Sequence, residues 1–340
     1  MTVRGLSMSI LVLSAVACSP APRYGEVPDT TPAPDAAVVR DGGADAGFSD
    51  AGKSTSDAGS IGGGTADAGT PDGGVPDAGW ARHWQTPTLL TALNSSADDS
   101  QPAPSADGLM LCFASTRSGG KGGGDIWCSK RPNTTAAWGS PYNESILNSS
   151  ADDWTPWLRA DGREILFSTN RSGNPDLYHA MRDDPAMPWG TPQPITELNI
   201  DSEYDPVLSP DGLTLFFAST RSGGAGGSDY YRAHRSTSDA QFGRAYNVAE
   251  INTSGNEYAA GVTLDGKTFL TCREQGGVYT LSSADLKPDD TWGSESPLRI
   301  DGMTVKQPCV PRIGVDGTLY FEGVAASGSG RDLYSAAPVR

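Results

Sequence analysis

Apolar residues in the C-terminal three quarters of this chain fall in short runs, not in helical stripes. Leu109-Met-Leu-Cys-Phe113 and Leu215-Phe-Phe-Ala218 are typical, and Gly, Pro, Asn or Asp bound such runs. This punctuation, with its β-branched and aromatic content, predicts short strands. The runs recur in step with the dipeptide Asp-Gly, at Asp107, Asp161, Asp211, Asp265 and Asp316, at intervals of 54, 50, 54 and 51 residues. Glycine accepts the positive φ that tight hairpins need, so each Asp-Gly predicts a turn between two strands. Every repeat has four pieces. The first is headed by Trp84, Trp138, Trp189, Phe242 or Trp292 and leads to Leu-Asn or its equivalent. The second runs up to Asp-Gly and the third is the apolar run after it. The fourth is Asp125-Ile-Trp127, Asp176-Leu-Tyr178, Asp229-Tyr-Tyr231 or Asp332-Leu-Tyr334. Four strands repeated about every 50 residues predict an all-β fold, a β-propeller with one blade per repeat.

The folded part, 80–340, begins with a Trp84-type outer strand and ends with the Asp332-Leu-Tyr strand. The last blade therefore lacks its outer strand, and the first segment is an outer strand without a blade. Adding residues near 84–93 to the sheet near 306–338 closes the ring and removes an exposed edge. The expected architecture is a five-bladed β-propeller closed by its N-terminal outer strand.

Composition changes abruptly before residue 80. Residues 19–79 are rich in Asp, Ala, Gly and Pro, with Asp-Ala-Gly at Asp45, Asp50, Asp57, Asp67 and Asp77. Ten acids against three bases give this stretch a net −7. With almost no large apolar side chains it cannot offset its ordering entropy, so a disordered linker is expected. Ahead of it, Arg4, the apolar run Leu6 to Val16 and Ser14-Ala-Val-Ala-Cys18 read as an export signal too short to span a bilayer. Residues 1–18 resemble a bacterial lipoprotein signal, which implies lipidation at Cys18. An ordinary secretory signal ending near Ala17 is the alternative. The formal net charge of −16 argues against a nucleic-acid partner.

Ser209-Pro-Asp-Gly212, Phe217-Ala-Ser-Thr-Arg221 and Asp229-Tyr-Tyr231, with their counterparts at 107–127 and 161–178, resemble the TolB-like, WD40-like repeat family of periplasmic propellers. The resemblance covers roughly 84–340. It implies a non-enzymatic scaffold or binding propeller in the cell envelope, without catalytic residues. Blade four departs at Phe269-Leu-Thr-Cys-Arg273 and Gly277. Blade five departs at Glu322-Gly-Val-Ala325.

Candidate chemistry gathers on the face that holds the start of each inner strand and the loop between strands two and three. Asp99, Asp153, Glu203 and Glu257 precede the inner strands, with Val305 in blade five. Trp154, Tyr204 and Tyr258 adjoin the acids, and Arg117, Arg171 and Arg221 stand ten residues after Asp-Gly in blades one to three. Paired carboxylates with aromatic platforms suit glycoside hydrolysis. Catalysis, however, needs different groups in different roles, whereas these acids repeat from blade to blade. Structural ion pairing is therefore the reading preferred here, with ligand binding as the alternative. The Gly-rich loops 118–124 and 222–228 lack the Lys-Ser/Thr ending of a phosphate cradle and read as flexible hairpin loops. His83, His179 and His234 show no metal-ligand spacing, and neither metal nor cofactor is expected. In an exported protein Cys112–Cys128 and Cys272–Cys309 could pair; buried free thiols are the alternative.

Together these features predict a non-catalytic lipoprotein, exported and anchored to the bacterial cell envelope by lipid alone, at the outer membrane on its periplasmic or surface side. Its propeller would bind an envelope protein or cell-wall component. The alternative is a secreted carbohydrate-binding protein or divergent glycosidase.

Overall fold

The computed structural model describes residues 81–275 and 277–339. The expected signal segment with Cys18 and the linker 19–79 lie outside the described residues. Each Asp-Gly pair closes a turn. Gly108, Gly162, Gly212, Gly266 and Gly317 have φ between +67° and +82°, the region that favours glycine. The preceding Asp fixes the turn: Asp107 Oδ1 accepts hydrogen bonds from Ser105 Oγ at 2.6 Å and Leu109 N at 2.9 Å.

The described chain enters through β1 (His83–Trp84) and β2 (Thr88–Leu89) and then runs blade by blade. Blade one is β3 (Asp99–Pro104), β4 (Met110–Ser115), β5 (Asp125–Lys130) and β6 (Tyr142–Asn143). Blade two is β7 (Asp153–Leu158), β8 (Glu164–Thr169), β9 (Asp176–Met181) and β10 (Gln193–Pro194). Blade three is β11 (Glu203–Leu208), β12 (Thr214–Ser219), β13 (Asp229–His234) and β14 (Tyr246–Asn247). Blade four is β15 (Tyr258–Val262), β16 (Thr268–Gln275), β17 (Val278–Asp285) and β18 (Ser296–Pro297). After β19 (Arg299–Ile300), blade five follows as β20 (Lys306–Ile313), β21 (Leu319–Val324) and β22 (Arg331–Ala336). The inner strands β3, β7, β11, β15 and β20 pack each on the next, and β20 packs back on β3, so the ring is complete.

The ring closes as its two ends predict. β2 supplies the fourth strand of blade five, with Thr88 opposite Ser335 and Leu89 opposite Tyr334. β1 pairs in parallel with β19 and bridges to Pro338. Trp84 is buried, 1% exposed, and its Nε1 donates to the carbonyl of Gly317 at 2.9 Å. The outer strands have only two residues each, and β10 and β18 contain proline, so they offer little edge for pairing with another chain.

Phe113, Phe167, Phe217, Phe269 and Phe321 are fully buried in the second strands and fill the space between blades. Each such burial contributes about 1.5–3 kcal/mol. Two disulfides add covalent ties. Cys112–Cys128 joins facing residues of β4 and β5, and Cys272–Cys309 joins blade four to blade five.

All five inner strands carry a bulge, and Gln101, Thr155 and Asp205 take φ of +58°, +50° and +54° there. A non-glycine residue in this region costs about 1–2 kcal/mol, and its bulged N–H leaves the ladder. In blades one to three that N–H is met by the preceding blade. Gln101 N donates to Glu322 Oε2 at 2.7 Å, Thr155 N to Gln101 Oε1 at 2.9 Å, and Asp205 N to Ser168 Oγ at 3.2 Å. The bulges thus stitch neighbouring blades along the channel.

Replacing Trp84 by alanine is expected to lower unfolding free energy by about 3–5 kcal/mol, through lost burial and a cavity at the closure. Urea denaturation of the full chain checks this; a loss below about 1 kcal/mol would mean that closure does not depend on Trp84.

Candidate functional site

The upper face is the end of the propeller that holds the inner-strand starts and the loops between strands two and three. The four repeated acids sit there, but Asp99, Asp153, Glu203 and Glu257 are fully buried. Each is held by a loop and an arginine. Asp99 Oδ2 accepts Ser95 N at 2.5 Å and Ser95 Oγ at 2.9 Å, while Oδ1 pairs with Arg117. Asp153 repeats this with Ser149, at 2.6 and 3.0 Å, and Arg171. Glu203 has a shorter loop before it. It reaches Ile200 N at 3.0 Å, Ser219 Oγ at 2.8 Å and Arg221 at 3.1 Å.

The arginines have a second task. Arg117, Arg171 and Arg221 donate to the carbonyls of Leu93, Leu147 and Leu198, in the loops arriving from the preceding blade, at 2.5–2.6 Å. Each guanidinium also lies over two rings of its own blade. Arg171 is 5.3 Å from Phe167 and 4.9 Å from Tyr178, and Arg221 is 4.9 Å from both Phe217 and Tyr231. A planar cation that stacks on aromatics while forking to oxygens is what arginine supplies and lysine does not.

Blade four makes the same clamp, and blade five its acid–arginine pair, from other positions. Arg273, two residues nearer to its Asp-Gly than the arginines of blades one to three, pairs with Glu257, bonds the carbonyl of Ile251 and reaches Glu295 at 2.6 Å. In blade five the acid is Glu322, on the second strand, and Arg331 reaches it at 2.6 Å from the third. Burial raises the carboxyl pKa of Glu203, Glu257 and Glu322, and their hydrogen bonds and arginines offset only part of that.

A further set joins loop to strand. Asn94, Asn148, Asn199 and Asn252 each exchange two hydrogen bonds with the backbone of the preceding blade's third strand. Asn148 Oδ1 accepts from Ile126 N at 2.8 Å, and its Nδ2 donates to Ile126 O at 3.0 Å. The recurring Leu-Asn was their only signal in the sequence. The Gly-rich loops are pinned. Asp125 accepts from Lys121 N and Gly122 N, and a Cβ on Gly122 would stand 1.8 Å from the carbonyl oxygen of Ala151. Close approach requires Gly122 and Gly226, which face backbone of the next blade, and Gly120 and Gly224, which face the Asp125 and Asp229 carboxylates.

Trp154, Tyr204 and Tyr258 differ from the acids in being only half-buried, and Tyr204 and Tyr258 pack against the cores between blades three and four and between blades four and five. At its lower end the channel is nearly filled. Trp157, Leu208, Val262, Ile313 and Arg312 surround about 30 Å³, room for a water or two and not for a sugar. The Arg312 guanidinium lies 4.9 Å over Trp157 and donates to the carbonyl of Ala260.

One buried cluster breaks the repeat. Glu164, fully buried on β8, accepts from Arg159 Nη1 at 3.1 Å, Arg235 Nη2 of blade three at 2.7 Å, and contacts His179 Nδ1 at 2.9 Å. Burial alone would raise its pKa, but the His179 and Arg235 bonds outweigh it and hold the carboxyl below its ordinary value.

No protein-family model and no curated protein sequence matches the chain. Similar folds occur among solved structures. An α-L-arabinofuranosidase from Podospora anserina, in complex with cellotriose, is 14% identical, with TM-score 0.54 over 77% of this chain and 97% of that one. An endo-arabinase from Bacteroides thetaiotaomicron is 15% identical, with TM-score 0.50 over 76% and 97%. TolB from Acinetobacter baumannii is 17% identical, with TM-score 0.45 over 72% of this chain; the chain spans 56% of that protein's length. At these identities the likeness is one of fold.

Replacing Arg171 by methionine strands the buried Asp153 carboxylate and is expected to cost about 3 kcal/mol; chemical denaturation reads it, and a change below about 0.5 kcal/mol would remove the clamp's structural role. Glu164 gives a pH signature. Its folded pKa lies below its unfolded value, so its stabilisation is full above the ordinary glutamate pKa and is lost as pH falls through the folded one. Glu164→Gln should therefore lower Tm at pH 7, and the gap to wild type should shrink as pH drops below about 4.5. A gap independent of pH would contradict this.

Proposed function

We propose that this chain is a non-catalytic binding scaffold of the bacterial cell envelope, exported and lipid-anchored through Cys18, whose propeller docks a protein or cell-wall partner on its upper face. One observation carries the non-catalytic part. The repeated carboxylates are fully buried and each is committed to an arginine and a loop, while glycoside hydrolysis needs two carboxyl groups that reach the sugar.

Carbohydrate binding is the second reading. The half-buried Trp154, Tyr204 and Tyr258 favour it, because partly exposed aromatic faces can stack on sugar rings. Three measurements on the full chain separate the readings. Affinity purification from envelopes should retain a protein partner, and an arabinofuranoside substrate should not be cleaved. Glycan-array binding that disappears with Trp154→Ala would overturn the scaffold in favour of a lectin. For the anchor, radioactive palmitate incorporation should vanish with Cys18→Ser.

A further inference from the structure

In four of the five blades the upper end of the third strand is capped by the blade that follows. Ile126, Leu177, Tyr230 and Leu333 each give an outward N–H to an asparagine of the next loop, at 2.8 Å in every case. Two residues earlier, Gly124 N donates to Asp152 Oδ1 at 2.8 Å, Ser228 N to Asn256 Oδ1 at 3.0 Å and Arg331 N to Asp98 Oδ1 at 2.9 Å. In blade two that place is Pro175, which has no N–H and accepts from Glu203 N at 2.9 Å.

Blade four lacks this cap. Leu298 N meets Leu281 O at 2.8 Å, as Glu144 N meets Ile126 O and Val248 N meets Tyr230 O. Four residues after Glu144 and Val248 stand Asn148 and Asn252, whereas four after Leu298 stands Gly302, without a side chain. β18 pairs with β17 only at Ser282 and Ser283. Backbone groups alternate sides along a strand, so Tyr279 and Leu281 face outward while Val278 and Thr280 face β16. Among the described residues no bond from the next blade reaches the N–H of Leu281 or either backbone group of Tyr279. β17 is also eight residues long, against six for β13, and its start is open to solvent: Val278 is 66% exposed, and Tyr279 and Thr280 are half-buried.

We infer that this edge, Val278 to Leu281 of β17, accepts an extended segment of a partner protein as an added β-strand. N–H and C=O groups left open at strand spacing match a peptide backbone, which offers the same groups at the same spacing; a sugar does not. The side chains narrow the partner further. Tyr279, Met303 and Val305 are half-buried on one hydrophobic core. A partner residue placed opposite Tyr279 would share their face of the sheet, so it would be apolar. The occupant is therefore an extended segment with apolar side chains on one face.

The inference rests on the scaffold reading and gives it a mode of docking. Amide hydrogen exchange on the full-length protein reads the edge itself. The N–H groups of Tyr279 and Leu281 should exchange roughly tenfold faster, or more, than those of Ile126, Tyr230 and Leu333. Equal protection would mean a closed edge and overturn the proposal. Fluorescence anisotropy with a labelled heptapeptide of alternating threonine and valine reads docking. The peptide should bind, and its counterpart N-methylated at alternate residues, which cannot pair, should not. Tyr279→Pro removes the outward N–H where blade two already carries proline, and should weaken binding roughly three- to tenfold. Tyr279→Phe keeps the backbone and the ring and should leave binding intact. Thermal melts check each fold; if Tyr279→Pro unfolds, the N-methylated peptide carries the same test. No binding by the heptapeptide, or equal binding by its N-methylated form, would overturn the proposal. Dimerisation in sedimentation that disappears with Tyr279→Pro would make the occupant a second copy of this chain and overturn it too. If an envelope protein is retained equally by wild type and a folded Tyr279→Pro, the scaffold stands and this inference falls.

Discussion

A buried carboxylate must be neutralised and hydrogen-bonded, or the structure around it opens. Blade five uses Glu322 on its second strand with Arg331, and blades one to four place such an acid at the start of the inner strand and answer it with one arginine. That arginine also binds a carbonyl from the preceding blade in blades one to four. One cation therefore joins three things: the loop arriving from the previous blade, the start of the inner strand, and the loop between strands two and three. The bulged inner strands add a second stitch, because a left-handed residue in one blade needs an acceptor from its neighbour. Together these bonds make adjacent blades interdependent, although each blade is a sheet complete in itself.

Much of this was legible in the residues. Asp-Gly at a near-constant period marks the turns, and the mismatch between the first and last strands marks the closure. Arg117, Arg171 and Arg221 could be read from their fixed distance to Asp-Gly. The clamps of blades four and five could not. Arg273 and Glu322 reach the same point in space from different strand positions, and one-dimensional spacing does not record convergence in three dimensions. The asparagines were masked for a similar reason. A side chain that imitates a strand's backbone shows no hydrophobic period and no charge. The Gly-rich loops misled because composition suggests looseness, whereas Gly122 and Gly226 let two backbones approach.

Fold likeness leaves the function open. Arabinofuranosidase and endo-arabinase structures are similar to this fold. In this chain the regular acids are folded into the walls, each held by an arginine. The departures from repeat symmetry are of two kinds. Glu164 and its cations tighten the seam between blades two and three, whereas the longer hairpin of blade four reshapes a surface.

The closure has a mechanical consequence. The chain before residue 81 joins the propeller through β1, which is gripped by β19 on one side and by residues near Pro338 on the other. Tension along that chain would load β1 first, then the two residues of β2, and the blades only after both had let go. The seam would thus act as a fuse, yielding at the edge of blade five while the clamps of the other four blades remained unstressed.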